Sequence, residues 1–137
     1  MAMLGARFVG SLPMSLQKDF ARRIRPHVDR ELAQAAQLDQ QGNPLAAFRH
    51  LERAHVLGQS VTRQHVRVHA HMLRWALRHR RPVEILGQAV RVLAAAIGTG
   101  FGLVPIGNTG GANVPLMRRL PIEPELAAII ADASGES

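Results

Sequence analysis

Residues 43–82 read NPLAAFRHLERAHVLGQSVTRQHVRVHAHMLRWALRHRRP, and this stretch decides the fold. Each end carries a proline after a polar residue, Asn43-Pro44 and Arg81-Pro82, and proline fits the first position of a helix, where its missing N–H is no loss. Between them, Ala47, Phe48, Leu51 and Ala54 recur at helical spacing, so a helix is expected over 44–57, ending at Gly58. A second helix is expected over about 61–80, and Pro82 opens another that runs to about Ile97. Upstream, Leu16, Phe20, Ile24, Val28, Leu32 and Ala35 recur every three or four residues, which predicts a helix over about 15–40. Pro26 lies inside it and requires a kink or a restart. Gly42-Asn43-Pro44 then stops this helix and starts the next.

The expected class is therefore all-α: two antiparallel helical hairpins, a glycine-rich loop and a short C-terminal helix. The two prolines stand 38 residues apart, close to the tetratricopeptide period of about 34. The detailed repeat signature is missing, so the layout resembles an irregular tetratricopeptide-like bundle in architecture alone. Beyond Ile97, residues 98–111 hold half of the twelve glycines, which excludes a long regular element there. Pro124, flanked by Glu123 and Glu125, starts a short helix over about 124–131. The expected organisation is a flexible segment over 1–14, one helical domain over 15–131 with a Gly/Pro-rich loop at 98–123, and a frayed tail at 132–137.

Composition narrows the function classes. The 137 residues are 47% hydrophobic, enough for a real core rather than a disordered polyelectrolyte. The absence of cysteine removes disulfides, thiolate metal sites, cysteine nucleophiles and iron–sulfur clusters together. No basic n-region precedes a continuous apolar segment, and the longest uncharged apolar run, 92–106, is broken by glycines and a proline. A spanning helix needs about 20 mostly apolar residues, so no membrane association is expected and the cytoplasm is the default location. The net charge of +7 is concentrated: residues 60–81 hold six cations, no anion and four of the seven histidines.

Helical geometry separates those histidines. At about 100° per residue, Arg63, Arg67, His71, Arg74 and Arg78 share a polar arc, whereas His65 and His69 fall beside Val68, Met72, Leu73 and Ala76. On the preceding helix His55 lies on the Phe48/Leu51 stripe, so His55, His65 and His69 face inward. His27, His50, His71 and His79 are expected on the solvated side. Glu52 stands three residues before His55, and Glu31 occupies an apolar-stripe position on the first helix. A buried carboxylate needs a partner, and the inward histidines are its nearest candidates. With a rise of about 1.5 Å per residue, a turn at 58–60 brings His55 and His65 to similar heights, with His69 one turn deeper.

The five residues Glu31, Glu52, His55, His65 and His69 form a nitrogen/oxygen donor set suited to a divalent transition ion such as Zn, Ni, Co, Cu or Fe. The same residues could instead hydrogen-bond one another and merely fix the helix packing. His-x-x-x-His occurs in zinc proteases, but no Glu follows His65, so the peptidase reading fails. Glu-x-x-His occurs in di-iron bundles, but only one copy is present. No nucleophile–base–orienter set can be assembled from spacing, so no catalytic residue is assigned.

Two other features bear on partners. The face Arg63, Arg67, Arg74 and Arg78 suits an acidic protein partner or a phosphate backbone. Nucleic acid is the less favoured of the two, because four Phe, one Trp and no Tyr leave few stacking platforms. The segment Gly107, Asn108, Thr109, Gly110, Gly111 and Asn113 is no Walker loop, since no Gly-Lys-Ser/Thr follows. It is expected to pack over the helices as a structured loop, with a ligand cradle as the alternative. Nothing in the spacing specifies an oligomeric state.

The motifs LERAHVLGQ (51–59), HVRVHAHML (65–73) and GNTGGANV (107–114), followed by LPIEPEL (120–126), resemble a bacterial family of small helical proteins known as a domain of unknown function. The resemblance spans about residues 15–130 and implies that the histidine helix and the glycine segment belong to one module. It brings no activity and no catalytic residues. The combined expectation is a non-catalytic protein that binds a divalent transition metal or a small ligand at the inward cluster. The alternative is a helical-hairpin interaction module acting through its arginine face.

Overall fold

The structure, a computed structural model, describes Val9, residues 12–98, Asn108, residues 110–112 and residues 120–135. Five helices account for most of it: α1 (Met14–Gln40), α2 (Pro44–Gly58), α3 (Thr62–Arg78), α4 (Pro82–Gly98) and α5 (Pro124–Ser134). No strand occurs among the described residues. α1 packs along α2 and α3 along α4, while α2 joins the two hairpins through α3 and α5 lies against α1 and α2. The chain is all-α and built of two helical hairpins.

The two hairpin turns are made alike. At the end of α1, Gly42 adopts φ +77°, and the N–H groups of Asn43 and Gly42 donate to the carbonyls of Leu38 and Asp39. At the end of α3, Arg80 adopts φ +50°, and the N–H groups of Arg81 and Arg80 donate to Ala76 and Leu77. Both are Schellman closures, in which a left-handed residue lets the chain satisfy the last free carbonyls of a helix. A proline then opens the next helix each time, and Asn43 caps α2 by accepting from the Ala46 N–H. α1 passes through Pro26 as one continuous helix, not as two.

The interior is filled by one stripe from each of three helices. α1 contributes Phe20, Ile24, Val28, Leu32 and Ala35, α2 contributes Ala47, Leu51, Ala54 and Leu57, and α3 contributes Val68, Met72, Trp75 and Ala76. Trp75 tilts against Phe48 with ring centroids 4.5 Å apart, and its indole N–H donates to the Pro44 carbonyl at 3.1 Å. That bond anchors the start of α2 to the end of α3. α5 inserts Leu126 and Ala133 into the same core. Arg53 locks it from outside, bonding Glu31 at 3.1 Å, Glu123 at 2.7 Å and Glu125 at 3.0 Å.

Arg80 holds a left-handed conformation at the position that Gly42 occupies in the other turn. A side chain there strains the backbone by about 1 kcal/mol. Arg80→Gly is therefore expected to raise stability by up to about 1 kcal/mol in urea denaturation, less the entropy that glycine adds to the unfolded chain. A loss of stability would show that Arg80 supplies a contact larger than its strain.

Candidate metal centre

Residues 59–61 are all that separate α2 from α3, so the chain reverses at once and the last turns of α2 face the first turns of α3. His55 on α2 and His65 and His69 on α3 thereby meet in the interior, with relative exposures of 3%, 7% and 2%. The Nε2 atom of His55 lies 2.9 Å from Nε2 of His65 and 3.1 Å from Nε2 of His69. The three rings sit edge-on or tilted to one another, with centroids 4.6–5.0 Å apart. One nitrogen of each ring lies within 4.8 Å of those of the other two, and no aromatic face is stacked.

The outer nitrogens fix the protonation states. Nδ1 of His55 is 2.7 Å from the backbone carbonyl of Asn108. A carbonyl only accepts, so this nitrogen carries the proton. Nδ1 of His69 is 2.6 Å from Oε1 of Gln88. The orientation of that amide is set by its nitrogen, which donates to the Gly110 carbonyl at 2.8 Å and to a Glu84 oxygen at 2.6 Å. Nδ1 of His69 is therefore also protonated. A neutral imidazole holds one N–H, so the Nε2 atoms of His55 and His69 face each other across 3.1 Å as two lone pairs. His65 can donate its Nε2–H to His55, yet no hydrogen remains for the contact between His55 and His69. An electrophile between them would satisfy both.

A second proton would also fill that gap, but the surroundings oppose it. Burial, then the neighbouring imidazoles of His69 and His65, hold His55 well below its ordinary value. Burial, then His69 and Arg91, push His65 down to about 3. Burial lowers His69 to about 4, with Gln88 opposing and Arg91 adding to the shift. All three rings are accordingly neutral near pH 7, the state in which imidazole coordinates a metal.

The glycine segment covers the cluster. Asn108 is buried and its side chain accepts the Gly110 N–H at 2.9 Å, which curls the backbone so that the Asn108 carbonyl meets His55. Gly110 has φ +81°, and a Cβ there would stand 2.7 Å from the His55 ring. The Ala112 N–H donates to both carboxylate oxygens of Glu84. A Cβ on Gly87 would lie 2.6 Å from the Ala112 Cβ, so α4 and the loop meet where only glycine fits. Gly111 is buried in the same crossing. Gly107, Thr109 and Asn113 lie outside the described residues.

The carboxylates expected beside the histidines lie elsewhere. Glu31 is buried, but its oxygens go to Nδ1 of His50 at 2.6 Å and to Arg53 at 3.1 Å. α1 packs chiefly against α2 and only slightly against α3, so Glu31 meets side chains of α2. Glu52 is half-buried between two surface grooves, one lined by Arg49, Arg53 and Ile122 and the other by Phe48, Trp75 and Val83. The group of three or more histidines and carboxylates that converges, among the described residues, is His55, His65 and His69. His50 and His79 are not simply solvated: each bonds a carboxylate of α1, Glu31 and Asp39 respectively. On the arginine face, Arg63 and Arg74 are exposed, whereas Arg67 and Arg78 reach Asp29 and Asp39 of α1.

The fold and the cluster define a class: an all-helical hairpin protein with three interior histidines converging under a glycine loop, a group that could hold a metal ion. The chain matches the family DUF3703, "Protein of unknown function", over residues 22–130, and it belongs to that family. No curated protein and no solved structure matches it. Among the described residues, no helix is long and apolar enough to cross a membrane.

Two outcomes test this geometry. The imidazole values lie below the unfolded value of 6.5, so the unfolded chain binds more protons in between, and stability falls as pH drops from about 6.5 toward 4 and 3. By pH 5 the loss is about 2 kcal/mol for each of His65 and His69, read by denaturant melts at several pH values. A flat profile over that interval would contradict neutral buried rings. Gly110→Ala, which meets both the positive φ and the His55 ring, is expected to cost about 2 kcal/mol or more. A variant as stable as the parent would show that the loop does not rest on His55.

Proposed function

We propose that the protein is a non-catalytic cytoplasmic protein that binds one divalent transition-metal ion through Nε2 of His55, His65 and His69. The observation that carries this reading is the 3.1 Å approach of Nε2 of His55 to Nε2 of His69 in the interior, with Nδ1 of each ring directed at an oxygen acceptor. Leaving buried polar atoms unmatched costs about 1–3 kcal/mol, and a metal ion turns the same arrangement into a favourable one. The spacing supports it. With metal–nitrogen bonds of about 2.0–2.1 Å, imidazole nitrogens stand roughly 3.3 Å apart in a tetrahedral site and roughly 2.9 Å apart at right angles. The observed 2.9 Å and 3.1 Å fall close to both.

The outer bonds support it as well. Metal-bound histidines characteristically donate their other N–H to a carbonyl or carboxylate, which sets the tautomer and aims the ring. His55 does this to Asn108 and His69 to Gln88, which Glu84 in turn orients. An all-imidazole set selects zinc, cobalt, nickel or copper over magnesium or calcium, which prefer oxygen. Three protein ligands leave a tetrahedral ion one position for an outside ligand. The arginine-face reading has no comparable support, because two of its four arginines are already engaged by α1.

Protein purified without an affinity tag should carry up to one equivalent of metal by elemental analysis. The stripped protein should melt at higher temperature with zinc, nickel, cobalt or copper. His69→Gln should abolish both effects, whereas His50→Ala should keep them. No bound metal together with no thermal shift would overturn the reading in favour of a purely packing role.

A further inference from the structure

Helix α4 is built the wrong way round for a helix that faces water. Its charged residues are Glu84 and Arg91, and neither points outward. Arg91 and Gln88 are buried, Gln88 meets His69, and Glu84 accepts from the Gln88 amide and the Ala112 N–H. The opposite side carries Val83, Leu86, Val90 and Leu93, all between 56% and 76% exposed. A surface helix normally turns its polar side to solvent, and a contiguous strip of exposed apolar side chains marks an interaction surface.

Once the outward side is known, its spacing identifies the kind of partner. The steps from 83 to 86, 90 and 93 are three, four and three residues, the repeat with which one helix packs along another. At its Val83 end the strip runs into the groove lined by Leu45, Phe48 and Trp75, where Leu45 is exposed as well. With Leu45 the strip exposes roughly 550 Å² per chain, so a symmetric pair covers roughly 1,100 Å², the scale of a specific interface. The strip carries no charge and so selects neither an acidic nor a basic partner. A bilayer surface favours a helix with cations on its solvent side, whereas Arg91, the cation of α4, is on the buried side.

We infer that the strip is covered by a second copy of this chain, the two α4 helices lying antiparallel about a two-fold axis. Arg80 and Arg81, exposed at the start of α4, set the direction. Parallel helices would bring the two basic corners together. Antiparallel ones hold them about 15 Å or more apart, beyond the screening length of about 8–10 Å. The same pairing leads the Leu93 end of each α4 toward the Leu45 groove of the other copy. It also clamps the helix that presents Gln88 to His69, and it does not depend on a bound metal.

Sedimentation equilibrium of the full chain tests this. The parent should weigh twice its 15.0 kDa at micromolar concentration. Leu86→Glu should weaken self-association by about a hundredfold or more while keeping the parental helicity by circular dichroism. Because the chain has no cysteine, single-cysteine variants report the direction: Val83→Cys mixed with Leu93→Cys should crosslink on oxidation, and neither variant with itself. A monomeric parent would overturn the inference, and its recovery on phosphatidylglycerol vesicles would assign the strip to a lipid surface instead. Crosslinking of Val83→Cys with itself would overturn the antiparallel arrangement. If Leu86→Glu does not fold, the mass of the parent and the cysteine pairing decide.

Discussion

Three imidazole rings share one point in the interior, and each neutral ring has a single N–H to give. Two of those protons are spent outward, from His55 to the Asn108 carbonyl and from His69 to the Gln88 side chain. That allocation leaves unprotonated nitrogens facing inward. Much of the surrounding structure serves to keep it so. The immediate reversal between α2 and α3 brings the rings together, and α4 supplies Gln88. The glycine loop supplies a carbonyl to His55 and a second one to fix the Gln88 amide.

This arrangement is a local conflict if the centre holds nothing. A buried polar network stabilises a fold only when every member is satisfied, and here one contact has no hydrogen to share. The rest of the molecule can bear that conflict. Trp75 and Phe48 lock the two hairpins, and Arg53 ties α5 to α1 and α2 through three carboxylates. Both supports lie outside the histidine cluster. Loop and cluster, in contrast, are one unit: the Asn108 carbonyl meets His55, the Gly110 carbonyl accepts from Gln88, and the Ala112 N–H donates to Glu84.

Much of this was legible in the sequence because it is local. Proline and glycine mark the hairpin turns, and helical spacing alone places His55, His65 and His69 on inward faces. The short turn between the two helices brings His55 and His65 to similar heights, with His69 one turn deeper. Other features arise from contacts between distant segments. Gln88 lies 19 residues from His69 and Asn108 lies 53 from His55, so no spacing rule connects them. The stripe position of Glu31 marks it as buried, but its partners Arg53 and His50 stand on α2, and which α2 side chains it meets depends on how α1 packs against α2 and not on any periodicity. The left-handed Arg80 was hidden for another reason: arginine does not announce such a turn as Gly42 does.

The central claim concerns which nitrogens carry protons, and nitrogen-15 NMR of histidine-labelled, metal-free protein near pH 8 reads this directly. The account predicts that His55 and His69 are both protonated at Nδ1 and bare at Nε2, and that one equivalent of zinc shifts the Nε2 resonances of His55, His65 and His69 while the Nδ1–H signals of His55 and His69 persist. Protonated Nε2 on both His55 and His69, or a zinc titration that leaves all three rings unchanged, would contradict it.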